Sequence, residues 1–214
     1  MDISLTQQII LAYSQGSFPM GTNKMSSKIE WVAPIERGLI PVGSIHCSRS
    51  LRKEINKKKF VVTFDTSFAE VVINCANREE TWINQTILDQ YLILHSNGLA
   101  HSAEIRQNDT LVGGLYGLEI GAVFFAESMF SKISNTSKLA MIAMMARIHY
   151  GGFKIFDTQF PSSHLTSLGG ITVSQLRFLE MLSSEINQKS NFNRSPVLST
   201  WDDFLAYGCG GINL

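Results

Sequence analysis

Two short segments hold the side chains best suited to chemistry. In Phe124-Phe-Ala-Glu-Ser-Met-Phe-Ser131, Glu127 sits among apolar residues. A carboxylate there must be paired or hydrogen-bonded, because an isolated charge away from water is costly. An alternating strand puts Glu127 on one face and Ala126 and Ser128 on the other. In Ile155–Phe160, Asp157 and Gln159 are two residues apart, so a strand turns both to one face and Phe156 and Thr158 to the other. An acid beside an amide can hold a nucleophilic amine and polarise a carbonyl. Each segment also has a purely structural reading: a Glu tied to an amide or a lysine, and a polar edge-strand face.

Other residues add weaker signals. The loop Ser131-Lys-Ile-Ser-Asn-Thr-Ser-Lys138 brings hydroxyls and two lysines to the start of a helical run, where backbone amides could hold an anion. Lys57, Lys58 and Lys59, with Arg49, Arg52 and Lys53 upstream, form the only basic cluster. Such runs are usually solvated faces, yet in a chain with 18 basic and 18 acidic residues this is the best candidate for a phosphate-backbone contact. Trp82 could be a stacking platform for a base or a core residue. His95, His101 and His164 lack metal spacing, and Cys47, Cys75 and Cys209 support neither a disulfide framework nor a zinc site. Gly113, Gly114 and Gly117 fall within a hairpin pattern, which suits close approach of another segment.

The elements that must position these residues follow from periodicity. A helix is expected over Leu5–Ser14, then an irregular stretch rich in Gly and Pro. Phe60–Phe64 reads as a strand, with Ser67 and Glu70 as a capping box for the next helix. A second helix runs from Asn84 to Gly98. A meander follows: Ala100–Arg106, Leu111–Tyr116 and Ala122–Phe130, with turns at 107–109 and 119–121. Ser137–Tyr150 is apolar nearly all round and should be a buried helix ending at Gly151-Gly152. Ile155–Phe160 is a strand, 161–170 a loop or short helix, and Ser174–Ile186 a final helix.

This pattern is α+β. It fits a GNAT-like acyltransferase domain, a mixed or antiparallel sheet with flanking helices in which adjacent strands splay to admit an acyl donor. The expected division is a small N-terminal lobe over 1–45, the catalytic domain over 46–188 and a tail over 189–214. With 44% hydrophobic and 17% charged residues, the chain can bury a core and is not disordered. The start has no basic region and only a short apolar run, Ile9–Ala12, so no secretory signal or membrane span is expected, and the cytoplasm is the expected location. Nothing points to an obligate dimer, and a monomer is expected.

Taken in order, the residues resemble one family, the bacterial leucyl/phenylalanyl-tRNA–protein transferases. The blocks are Ala12-Tyr13, Gly16-Ser-Phe-Pro19, Trp31 through Pro34 with Arg37, Ser48-Arg-Ser50, Cys75-Ala76, Thr81-Trp-Ile83, Leu94-His95 with Gly98, and Ala100-His-Ser102 with Glu104. The densest are Leu111-Val-Gly-Gly-Leu-Tyr-Gly117, Glu127-Ser-Met-Phe-Ser131, Ser137-Lys138, Gly152-Phe153, Asp157 with Gln159, and His164 with Ser167-Leu-Gly169. The resemblance implies transfer of leucine or phenylalanine, with methionine a third candidate, from aminoacyl-tRNA to the α-amine of proteins beginning with Arg or Lys, which marks them for proteolysis. It implies no metal or coenzyme, since the tRNA ester is already activated. It implies that Asp157 orients the acceptor amine, that Gln159 assists attack and that Glu127 holds the network. Met129 resembles an aminoacyl-pocket residue, with Leu115, Phe124, Met144 and Phe156 as further lining candidates. Trp82 looks like the platform for the terminal adenosine, and Ser131 joins it as a substrate-binding candidate. The cluster Arg49, Arg52, Lys53, Lys57, Lys58 and Lys59 is the candidate acceptor-stem contact.

The chain departs from the family pattern at Met20, where tryptophan is common, at Ala126, at Arg106 and at Gly170, and it lacks the longer members' N-terminal Gly-Gly-Asp extension. Two other readings remain: an aminoacyl-tRNA-binding module without transfer, and an acyl-CoA-dependent N-acyltransferase. The second expects a glycine-rich pyrophosphate loop where Ser131–Lys138 has no glycine.

Overall fold

The computed structural model describes residues 3–210. In chain order it contains α1 (Leu5–Ser14), β1 (Phe18–Gly21), β2 (Ile29–Val32), β3 (Glu36–Leu39), α2 (Arg49–Asn56), β4 (Val61–Phe64), α3 (Phe68–Ala76) and α4 (Gln85–Ser96). There follow β5 (Ala100–Gln107), β6 (Thr110–Ile120), β7 (Val123–Ser131), α5 (Thr136–Tyr150), β8 (Ile155–Gln159), α6 (Ser163–Ser167), β9 (Ile171–Ser174), α7 (Gln175–Glu185) and α8 (Trp201–Gly208). The protein is α+β. β1 and β2 form a two-stranded ribbon, and the other strands form a seven-stranded mixed sheet in the order β4-β5-β6-β7-β8-β3-β9. Every neighbouring pair is antiparallel except β7–β8, which α5 connects in parallel.

Alternation along the strands feeds two cores, one on each face of the sheet. Leu115, Phe124 and Phe156 join α2, α5 and α8 on one face. Tyr116, Phe125 and Ile155 join α1, α3, α4 and α7 on the other. α5 is buried all round, as its composition predicts, because the sheet lies on one side and α8 on the other. Gly208 makes that cover possible: a Cβ there would meet the Ile142 carbonyl oxygen at 2.5 Å. Gly113 and Gly117 do lie under close neighbours, the Thr136 side chain and the Phe125 carbonyl.

Several expectations change. The stretch after α1 is not irregular, since β1, β2 and β3 form there and β3 is an inner strand of the main sheet. Ser67 does not build a capping box. Its hydroxyl accepts from Arg106 Nη2 at 2.5 Å, and its N–H donates to Glu104 Oε1 at 2.7 Å. β6 runs on to Ile120, because Gly121 at φ +59° makes the turn tighter than the sequence implied. The tail carries α8, whose Thr200 and Asp203 form a capping box. Phe192 and Phe204 are buried in the α5 face, and Trp201 Nε1 donates to the Phe60 carbonyl at 2.9 Å. Among the described residues, no helix is long and apolar enough to cross a membrane.

Candidate active site

β7 and β8 pair at only three positions, Val123 with Ile155, Phe124 with Phe156 and Phe125 with Asp157. Past these the strands part: β7 continues against β6, and β8 against β3. The gap opens where β7 also carries a bulge. Tyr116 faces Ser128 and Gly117 faces Ala126, so Glu127 is the extra residue with no partner on β6. A bulge re-aims its side chain out of the alternation. Glu127 Oε1 accepts from Tyr13 OH at 2.6 Å and from Gln159 Nε2 at 3.1 Å, and Tyr91 OH supports Tyr13 OH at 2.7 Å. The apolar surroundings push the Glu127 carboxyl up to about 8, while the hydroxyls of Tyr13 and Tyr91 pull the other way. A carboxyl in that range can take up and release a proton near neutral pH.

Gln159 reaches Glu127 because its backbone is left-handed, with φ +57°. Its N–H donates to Asp157 Oδ1 at 2.9 Å, which holds the turn. Strand alternation therefore fails at this point. Asp157 is fully buried, while Thr158 and Gln159 both line the cavity beside Glu127. Asp157 is engaged on both oxygens by Arg37, with Nε at 2.9 and 3.1 Å and Nη2 at 2.5 Å. Arg37 is itself fully buried between the rings of Phe18 and Phe178, 5.0 and 4.3 Å from the centroids, and donates Nη1 to the Gly16 carbonyl. Burial pushes the Asp157 carboxyl up, and the Arg37 guanidinium draws it down.

Three cavities meet at Glu127. The largest, about 600 Å³, is lined by Trp82, Arg78, Met129, Ser131, Lys132 and Ser137 among others, so it offers an aromatic face, two cations and the start of α5. A small cavity of about 100 Å³ has mostly apolar walls: Leu115, Ala126, Met129, Met141 and Leu165. The third, about 190 Å³, lies between Phe18, Met20, Trp82, Thr158, Gln159 and Phe160. Thr158 lines the second and third cavities, and its buried hydroxyl has no hydrogen-bond partner among the described residues.

Glu127, Gln159, Trp82, Met129, Leu115 and Ser131 are thus brought together. Asp157 stands one shell behind them. Phe124, Met144 and Phe156 are core residues that line none of the three cavities. Arg49, Arg52, Lys53, Lys57, Lys58 and Lys59 lie exposed on and after α2, and none lines these cavities. The sequence reading did not place Arg37, Tyr13, Tyr91, Arg78, Met141, Leu165 or Thr158 in the site. Arg37 left two signals, its place in a block that matches the family and a charge at the head of the apolar run Gly38-Leu-Ile40. Among the described residues, no cluster of His, Cys, Asp and Glu could hold a metal ion.

A cationic, aromatic-floored cavity joined to an apolar one by a titratable carboxyl suits an acyl group carried on a phosphate-bearing donor. The comparisons with known proteins define the class. The family described as leucyl/phenylalanyl-tRNA protein transferase matches residues 39–183. The leucyl/phenylalanyl-tRNA–protein transferase of Roseobacter denitrificans is 43% identical over 196 residues, 91% of this chain and 93% of the relative. Those of Paracoccus denitrificans and Rhodospirillum rubrum are 42% and 43% identical, covering 87% and 89% of this chain and 88% and 92% of the relatives. The chain belongs to the leucyl/phenylalanyl-tRNA–protein transferase family.

Proposed function

We propose that this protein transfers leucine or phenylalanine from aminoacyl-tRNA to the α-amine of an acceptor protein beginning with Arg or Lys, acting in the cytoplasm where charged tRNA is found. The observation that carries the reading is the meeting of three differently lined cavities at Glu127. The terminal nucleotide takes the large cavity, on Trp82 and near Arg78 and Lys132. The aminoacyl side chain takes the apolar one, where Met129 and Met141 can adapt to leucine, phenylalanine or methionine. The acceptor amine enters by the third. The parting of β7 and β8 supports reading the domain as a GNAT-like acyltransferase.

The mechanism follows from the contacts. The acceptor arrives as an α-ammonium with an ordinary pKa near ~8. The Glu127 carboxylate, titrating in the same range, takes its proton. Gln159 Nε2 is spent on Glu127, which leaves its carbonyl oxygen to accept from the amine and aim it. The amine nitrogen attacks the ester carbonyl carbon, the tetrahedral intermediate collapses, and the bond to the ribose oxygen breaks. One proton of the ammonium is held by Glu127, the second passes from the attacking nitrogen to the departing ribose oxygen so that the tRNA leaves with a free hydroxyl, and Glu127 releases its proton to solvent. Asp157 acts as a positioning residue, because Arg37 and the Gln159 N–H occupy its oxygens.

The test mixes purified protein with leucine- and phenylalanine-charged tRNA and peptides beginning with Arg, Lys, Asp or Ala. Transfer to the Arg and Lys peptides alone, lost in Glu127→Ala and Asp157→Ala, is expected. Transfer to the Asp peptide would keep the reaction and overturn the acceptor assignment. Bound charged tRNA with no transfer would leave a binding module.

A further inference from the structure

An acceptor polypeptide whose first residue lies beside Gln159 must leave the cavity by some route. The nucleotide occupies the large cavity, and the small apolar one is filled by the donor's side chain. Among the walls of the third cavity is Phe160, which is 46% exposed and held edge-on against Phe18 at 5.5 Å. Phe160 also lines a groove with Pro34, Ile35, Glu36 and Pro161. Phe160 is thus common to the acceptor cavity and the groove. Ile35 is 88% exposed at the groove rim, and Glu36 is exposed and in no ion pair among the described residues.

We propose that residues two to four of the acceptor polypeptide run over Phe160 into this groove, resting apolar side chains on Ile35 and turning basic ones toward Glu36. The inference rests on the acyl-transfer reading of the Glu127 site and adds the acceptor's path and its sequence preference. An extended chain rises ~3.3 Å per residue, so a few residues beyond the reacting amine suffice to enter an adjoining groove. The unpaired carboxylate of Glu36 attracts lysine or arginine and repels aspartate or glutamate at those positions. The exposed Ile35 and Phe160 give an apolar side chain a surface to cover.

The experiment compares three acceptors with the same charged tRNA: arginine amide, Arg-Leu-Leu-Lys amide and Arg-Leu-Leu-Asp amide. The lysine peptide should have a lower KM than the aspartate peptide. Ile35→Asp should raise the ratio of lysine-peptide KM to arginine-amide KM about tenfold, and Glu36→Lys should reverse the preference between the two peptides. Both positions are exposed, and an unchanged Tm confirms that the variants fold. Transfer that persists with the KM ratio and the peptide preference unaltered in both variants overturns the groove. Absence of transfer to every acceptor by the unaltered protein overturns the reading of the Glu127 site, and the groove with it.

Discussion

With both oxygens of Asp157 taken by Arg37, removing either partner strands a charge away from water. Arg37→Met should lower stability by about 3–5 kcal/mol, read as a drop in the urea midpoint. Replacing both, as Arg37→Met with Asp157→Leu, should recover part of that loss without recovering transfer. Gln159 bears a different load: a left-handed backbone on a non-glycine residue, which costs about 1–3 kcal/mol. Gln159→Gly should therefore keep or raise Tm while cutting transfer by about 10²-fold or more. Glu127 makes the same trade through a proton. A folded-state value raised to about 8 means the folded protein holds a proton that the unfolded chain gives up near its ordinary value. Stability contributed by that proton falls as pH rises between the two values and is flat above the higher one. Glu127→Gln has no such titration, so its Tm should overtake that of the unaltered protein by a few degrees between pH 5 and pH 9. Transfer by the unaltered protein should rise with pH through about 8, and the variant should lack the part of that rise due to Glu127. The chemical types of Glu127 and Gln159 were legible in the sequence. Their geometry was not, because a bulge exists only relative to the facing strand and Arg37 meets its partner 120 positions away.

Elements with long, regular periodicity were read within a residue or two: α4, α5, β5, β7 and β8. Their signals are local, the Asn84 cap of α4 or the glycines after α5. The misses have different physical causes. β1, β2, β3 and β9 have four residues each, too few to show a period, and they are strands only because of what lies beside them. α2 was hidden by its charge, since only Leu51 and Ile55 face inward. α8 announced itself through Thr200 and Asp203, yet its short length made it look like a tail. The contact of α8 with α5 gives a prediction at this scale. Gly208→Leu must push α8 off the Ile142 carbonyl, and calorimetry should show a loss of about 1–3 kcal/mol or more. Transfer by the protein that stays folded should be unaffected, since α8 lines none of the three cavities.

Across the whole molecule, a balance of 18 basic and 18 acidic residues leaves tRNA to be attracted by local clusters. Two are available, Arg78 and Lys132 at the large cavity and the exposed residues from Arg49 to Lys59. If the second holds the acceptor stem, Lys57→Glu, Lys58→Glu and Lys59→Glu together should weaken binding of charged tRNA and flatten its salt dependence by about one unit of slope per lost phosphate contact. The turnover rate at saturating tRNA should hold. An unchanged slope would confine the contact to the cavity.

The placement of β3 has a consequence for how the protein is made. This strand leaves the ribosome early, yet its two neighbours, β8 and β9, lie more than a hundred residues later. Arg37, on β3, has no Asp157 to clamp until β8 has been synthesised. The clamp that fixes Gln159 therefore closes among the last events of synthesis. A half-made chain holds Arg37 and Tyr13 but none of Glu127, Asp157 and Gln159, so the contacts among these residues form only once the late strands are in place.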